Sequence, residues 1–193
     1  SVSKKSSDVM PVSFSSENRA SVLAIHLGIC ILKKDAMDNV IVKATELGAA
    51  SITPLTSEYC TVARNMMSKR WPHWAQMTLS ASEQCGLNLP PILHPTTSIE
   101  HWTIEQTSDA RIVALPGGGQ LSRQSGPTPV RSASLLIGPE GGFSVTETAQ
   151  AMRAGFSAAG FGERILRAET APIVVMTILQ NLWGDFSLTH ENV

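Results

Sequence analysis

From Val22 to Leu32 the chain runs Val-Leu-Ala-Ile-His-Leu-Gly-Ile-Cys-Ile-Leu, apolar at almost every position, which is the pattern of a strand covered on both faces. The period then changes. After Lys33 and Lys34, with Asp35 as the expected N-cap, Met37, Val40, Ile41, Ala44 and Leu47 share one helical stripe, and Gly48 stands where a helix should stop. Ser51–Leu55 predicts a short strand. Trp71, Trp74, Thr78, Ser82 and Cys85 mark a second helix, whose start tolerates Pro72 and whose end meets Gly86. Both tryptophans are expected in the core. The alternation repeats downstream. Ala110–Leu115 and Ala133–Ile137 predict strands, Ser144-Val-Thr-Glu147 is a capping box opening a helix to Arg153, Phe156–Phe161 can form a short strand, and Thr170–Trp183 predicts an apolar helix with Pro172 in its first turn. Such an order implies an α/β fold, a parallel sheet with helices on both faces. Residues 117–129, rich in Gly, Ser and Pro, predict a surface loop, and 188–193 a fraying tail.

The first twenty residues are polar and lack a helical stripe, so 1–20 are expected to be the last strand and linker of a preceding unit, and 21–193 the main domain. Hydrophobic residues make up 42% of the 193 positions and charged ones 16%, which excludes a chain disordered throughout. The net charge of -1 excludes a uniformly basic surface, so any polyanion must be held by a local patch. Lys33, Lys34, Lys43, Arg64, Lys69 and Arg70 are the candidates for such a phosphate-binding face, with a solvated surface as the alternative for each. Cys30, Cys60 and Cys85 read as buried thiols. Neither they nor the five dispersed histidines have zinc spacing, so no metal is expected. No apolar run approaches the roughly 20 residues that span a bilayer, and the chain reads as soluble and cytoplasmic.

Three segments hold the candidate chemistry, each following a predicted strand: 115–119, Leu-Pro-Gly-Gly-Gly; 137–144, Ile-Gly-Pro-Glu-Gly-Gly-Phe-Ser; and 162–172, Gly-Glu-Arg-Ile-Leu-Arg-Ala-Glu-Thr-Ala-Pro. Ligands of parallel sheets sit at the carboxyl ends of strands, and glycine there lets backbone amides approach without an intervening Cβ. Neither the Gly-x-x-x-x-Gly-Lys-Ser/Thr phosphate loop nor a Gly-x-Gly-x-x-Gly after the first strand is present, which counts against ATP hydrolysis and dinucleotide redox chemistry.

Leu-Ile-Gly-Pro-Glu-Gly-Gly-Phe-Ser at 136–144, Arg-Ile-Leu-Arg-Ala-Glu-Thr-Ala at 164–171, Lys-Ala-Thr-Glu-Leu-Gly at 43–48 and Ser-Glu-Gln-Cys-Gly at 82–86 together resemble the RsmE family, SPOUT-class methyltransferases of small-subunit ribosomal RNA. The resemblance covers roughly residues 20–186. It implies a SPOUT-type fold with a C-terminal trefoil knot, a homodimer, and S-adenosylmethionine-dependent methylation of N3 of one uridine in 16S RNA. By the same resemblance Leu115, Pro116, Gly117, Ile137, Gly138, Gly141, Gly142, Ile165, Leu166, Arg167, Thr170 and Ala171 would line the cofactor pocket. Arg167 would stabilise charge on the uracil oxygens, or else shape its loop through Glu140 or Glu169. Glu140 is the candidate base. Residues 1–20 would be the remnant of a PUA-like RNA-binding domain. The sequence departs from the family at Tyr59 and Leu87, where arginine is usual. Two other readings stay open: a related methyltransferase acting on another RNA, and a non-catalytic dimer that binds cofactor or RNA.

Overall fold

A computed structural model describes residues 10–14, 16–60, 67–122 and 129–186. Among the described residues seven strands form one sheet: β1 (Ala24–Cys30), β2 (Ala49–Thr56), β3 (Ile92–Leu93), β4 (Thr97–Ser98), β5 (Ala110–Gly119), β6 (Ser132–Ile137) and β7 (Ser157–Ala159). The described helices are α1 (Lys34–Glu46), α2 (Met67–Cys85), α3 (Ile99–Glu105), α4 (Val145–Arg153) and α5 (Ala171–Trp183), the last following β7. The strand order is β3-β2-β1-β6-β5-β7, with β4 also on β2, and every pairing is parallel. The α/β expectation holds, and β1, the most apolar segment, lies inside the sheet between β2 and β6.

Alternation along β1 divides the core in two. Leu23, Ile25, Leu27 and Ile29 pack with α1 (Met37, Val40, Ile41, Ala44), Trp74 of α2 and α5 (Val175, Met176, Leu179). Cys30 faces the other way, with Leu55, Ile99, Trp102, Ala151 and Phe156 beneath α3 and α4. Gly28 belongs to this second face because the Trp102 indole occupies the space of its missing Cβ, 2.7 Å from where that atom would lie.

Local signals place most boundaries. Gly48 and Gly86 take φ of +75° and +76° just past α1 and α2, and Ser144 with Glu147 forms the expected capping box of α4. Pro54 lies within β2 opposite the gap between Leu93 and Thr97, where the outer partner is interrupted and an N–H is not needed.

Several expectations are corrected. Asp35 is in the first turn of α1, and the N-cap position falls to Lys33. Trp71 is exposed, whereas Trp74 is buried. Cys60 and Cys85 are only partly buried. Gly117, Gly118 and Gly119 belong to β5 rather than to a loop. The strand bulges there: Ala114 and Gly119 both pair with Ala159, so 115–118 loop around the end of β7. The elements β3, β4 and α3 had no sequence signal long enough to read. Residues 10–14 and 16–20 form no helix or strand, and the rest of the expected remnant strand, like the tail at 188–193, lies outside the described residues. Among the described residues no helix is long and apolar enough to cross a membrane.

One feature of the path shapes the site. Strand β7 lies at the sheet edge beyond β5, yet α5 packs with α1 over β1. Residues 160–170 therefore cross the carboxyl ends of β5 and β6.

Candidate functional site

Beneath that crossing lies a cavity of about 780 Å³, within the range of small-molecule sites. Its walls are Ala114, Leu115 and Pro116 from the β5 bulge, Ile137–Glu140, Gly142 and Phe143 after β6, Phe161–Gly162 and Arg164–Glu169 from the crossing, and Ala171 at the start of α5. Lys33 and Ala36 close the side toward β1. Three parallel strands thus end at one place. Leu115, Pro116, Ile137, Phe143, Phe161 and Leu166 make the lining largely apolar, while Lys33, Glu140, Arg164, Arg167 and Glu169 supply its charges.

The structure brings nine of the sequence-predicted pocket residues to this wall: Leu115, Pro116, Ile137, Gly138, Gly142, Ile165, Leu166, Arg167 and Ala171. Gly142 has a φ of +74°, and a Cβ there would meet open space with no atom within 4 Å. Three others stand off the wall. Gly117 takes a φ of +74° at the turn of the bulge, and a Cβ on Gly141 would fall 3.0 Å from Cβ of Tyr59. Thr170 is the N-cap residue of α5, and its carbonyl accepts from the Val174 N–H at 3.2 Å. The sequence reading did not assign Ala36, Ala114, Pro139, Phe143, Phe161, Gly162, Arg164, Ala168 or Glu169 to this wall. Pro139, Phe143, Gly162, Arg164, Ala168 and Glu169 lay inside the quoted segments, and the Phe143 ring is the nearest neighbour of a Cβ built on Gly138, at 3.0 Å.

Arg167 is 86% exposed along its side chain, and its Nη1 lies 4.0 Å from Glu169 Oε1, the outer limit of an ion pair. Such a contact is worth about 0–1 kcal/mol and leaves the guanidinium available. Glu140 is exposed, and its Oε1 accepts a long 3.4 Å hydrogen bond from the Lys33 N–H, tying the loop after β6 to the start of α1.

The basic candidates are scattered in role. Lys33 lines the cavity. Lys43 is paired with Glu46 at 2.7 Å. Arg70 donates to Asp38 at 3.2 Å and lies over the Trp74 ring at 5.5 Å, while the Trp74 Nε1–H donates to the same carboxylate at 3.0 Å. Asp38 therefore locks α2 to α1. Arg64 lies outside the described residues, as do the side chains of Lys34 and Lys69. At the two departures from the family pattern, Tyr59 packs on Gly141, and the Arg19 guanidinium lies over Gly86, 2.8 Å from the position of a Cβ. A cation thus still reaches the turn that ends in Leu87.

A doubly covered parallel sheet with a ligand-sized apolar cavity at the carboxyl ends of β5 and β6 defines an α/β protein built to hold a small organic molecule. The comparisons are specific. The RNA methyltransferase domain family matches residues 18–180. Ribosomal RNA small subunit methyltransferase E of Buchnera aphidicola from Schizaphis graminum is 37% identical over 174 residues, covering 89% of this chain and 70% of its own. A putative methyltransferase of Legionella pneumophila, solved with its cofactor SAM, superimposes with a TM-score of 0.82 at 36% identity, over 87% of this chain and 70% of that one. The Neisseria gonorrhoeae ribosomal RNA small subunit methyltransferase E, bound to S-adenosyl methionine, has a TM-score of 0.82 at 34% identity, over 90% and 72%. The chain belongs to the ribosomal RNA small subunit methyltransferase E family of RNA methyltransferases.

Proposed function

We propose that this protein transfers a methyl group from S-adenosylmethionine to N3 of one uridine of 16S ribosomal RNA in the small subunit, working as a homodimer in the cytoplasm. The observation that carries the reading is the cavity under the 160–170 crossing. Its volume suits a nucleoside-sized cofactor, Leu115, Pro116, Ile137 and Leu166 offer apolar faces for an adenine, and Gly142 leaves the backbone open to contact. When bound, the cofactor supplies a methyl group already activated by the sulfonium.

The chain's own residues then have two tasks. Uracil N3 carries a proton, and its lone pair is delocalised into two carbonyls, so nucleophilicity grows only as the proton leaves and charge spreads to O2 and O4. Arg167, exposed and loosely paired at the cavity, is our assignment for the cation that meets that charge. Glu140, on the opposing loop, is the carboxylate we assign to accept the proton. Backbone from Leu115 to Pro116, 137 to 142 and 165 to 171 orients the cofactor, and Lys33 with its neighbours offers phosphate contacts.

The crossing of β5 and β6 by 160–170 supports a trefoil knot, because a chain returning from the sheet edge over two strand ends is the path that threading requires. The dimer reading is supported by α5, Ala-Pro-Ile-Val-Val-Met-Thr-Ile-Leu-Gln-Asn-Leu-Trp, which is apolar around its circumference while one side only packs inside the chain. We read 21–193 as the catalytic domain and 1–20 as a connection to an RNA-binding unit.

The test is methyl transfer from labelled S-adenosylmethionine to small ribosomal subunits that lack the modification, mapped by reverse transcription, since a methyl on N3 blocks base pairing. A stop at a single uridine is expected. Cofactor binding without transfer to any ribosomal RNA would favour the non-catalytic dimer, and transfer to another RNA class would overturn the substrate assignment.

A further inference from the structure

A second cavity, of about 390 Å³, opens at the carboxyl end of β2, between the 57–60 turn and the starts of α3 and α4. Its wall includes Ser57, Glu58, Cys60, Ser98, Glu100 and Glu147, and none of these takes part in the chemistry assigned above. Cys60 is the feature that stands out. Its sulfur sits between two strand ends, 3.6 Å from the Ile31 carbonyl and 3.8 Å from the Leu55 carbonyl, to which the thiol donates. Ser57 Oγ–H donates to the sulfur at 3.1 Å. Leu55 is the register partner of Cys30, and Cys60 packs against the cluster that contains Cys30. The two carbonyls beside the Cys60 sulfur belong to Ile31, which follows Cys30, and to Leu55, which lies across from it, so both cysteines sit at the same end of β1 and β2. Cys30 is fully buried, and Cys60 forms part of the cavity wall.

We propose that Cys60 and Cys30 form a peroxide-reactive dithiol, in which Cys60 is the attacking sulfur reached through the cavity and Cys30 is the resolving thiol sealed beneath it. The chemistry balances with a hydroperoxide as oxidant. The Cys60 thiolate attacks one peroxide oxygen, an S–O bond forms, the O–O bond breaks, and sulfur is oxidised by two electrons to a sulfenic acid while the other oxygen leaves as hydroxide or alcohol. The Cys30 sulfur then attacks Cys60, the S–S bond forms, the S–O bond breaks, and water departs with the Cys30 proton.

The electrostatics divide the roles in the same sense. Hydrogen bonds from Cys30 first and Ser57 next stabilise the Cys60 thiolate against partial burial and lower its pKa, whereas burial first of all raises that of Cys30. Glu147 faces the site, but its carboxylate is engaged by the Glu58 and Ser144 N–H groups at 2.8 and 2.9 Å. Cys85 is the internal control. It is partly buried, donates only to the Ser82 carbonyl at 3.7 Å, and lines neither cavity.

The experiment is differential alkylation of the folded, reduced chain before and after stoichiometric hydrogen peroxide, read by peptide mass spectrometry. Before peroxide, Cys60 should alkylate roughly tenfold faster than Cys85. Afterwards a Cys30–Cys60 linked peptide, lighter by two hydrogens and restored by dithiothreitol, should appear while Cys85 remains alkylatable. Cys30→Ser should leave Cys60 as a sulfenic acid trapped by dimedone, and Cys85→Ser should leave the linked peptide unchanged. Oxidation of Cys85 ahead of Cys60, or a Cys60 sulfenic acid that accumulates in the unsubstituted chain without linkage to Cys30, would overturn the proposal. The unsubstituted chain carries the main readout, so the result does not depend on how well the variants fold.

Discussion

Gly118→Ala tests how the cavity roof is held. Gly118 and Gly160 lie back to back where the β5 bulge wraps the end of β7. A Cβ on Gly118 would fall 2.6 Å from the Ala159 carbonyl carbon and 2.7 Å from the Gly160 nitrogen, while a Cβ on Gly160 would fall 2.6 Å from the Gly118 oxygen. These obstacles are backbone, so no rotamer change relieves them. One strand must retreat by about 0.8 Å to reach ordinary contact. Overpacking of this kind costs about 1–3 kcal/mol. The shift also strains the hydrogen bond from Gly160 N–H to the Gly119 carbonyl at 3.0 Å, a loss of about 1 kcal/mol if broken. A total of about 2–4 kcal/mol corresponds to a fall in Tm of roughly 5–15 °C for a domain of this size. Because Gly160 leads directly into the crossing, part of that energy should be relieved by local opening over the cavity, weakening S-adenosylhomocysteine binding by about tenfold or more.

Gly119→Ala is the matched control. A Cβ there meets nothing closer than the Ala158 oxygen at 3.8 Å, and its φ is not in the left-handed region. Thermal melts and calorimetric titration of both variants against the unsubstituted chain decide the matter. If Gly118→Ala and Gly119→Ala lose the same small amount of stability and bind the ligand equally, the close approach does not hold the roof and the reasoning fails.

Three further outcomes follow from the structure. Arg167→Ala should leave the folding stability within about 0.5 kcal/mol of the unsubstituted protein in denaturant melts, because its pairing is loose, and should spare cofactor binding while lowering kcat by about 10²–10³; equal loss of binding and turnover would remove it from its assigned role. Trp102→Ala should destabilise by about 3–5 kcal/mol in denaturant melts, since the indole fills the Gly28 position and packs on Phe156 with ring centroids 5.8 Å apart; a cost below about 1 kcal/mol would refute that packing. Asp109 accepts first from the Arg131 N–H, then from the Ser132 hydroxyl and N–H, which hold its carboxyl below the usual 3.8. A depressed carboxyl contributes stability above its unfolded pKa and loses it as pH falls through the folded one. The Tm gap between the unsubstituted chain and Asp109→Asn should therefore be present at neutral pH and shrink below pH 3.8; a gap unchanged at about pH 2 would contradict the sign.

Much of the architecture was legible because its causes are local. The apolar run of β1, the stripe of α1, the positive-φ glycines at 48 and 86 and the Ser144–Glu147 box each report backbone conformation within a few residues. The three glycine-bearing segments marked the carboxyl ends of strands, which is where the cavity lies. The short α3 was not legible, since its seven residues give too little period, although Ser98 caps it by accepting from the His101 N–H. Nor was the fate of Arg70, read as a phosphate contact, yet held by Asp38 from a helix 32 residues away.

The sequence by itself determined the order of the longer strands and helices, the α/β class, and the three segments that wall the cavity, because periodicity and capping are properties of neighbouring residues. Only the tertiary structure decided which glycine of 117–119 meets backbone at its missing Cβ, which charges are spent between helices, that Ala36, Phe143 and Phe161 complete the cavity, and that Cys60 packs on the cluster holding Cys30. Each of these depends on two segments far apart in the chain approaching within a few ångströms. That distance is set by packing the whole sheet and its helices, and no local pattern encodes it.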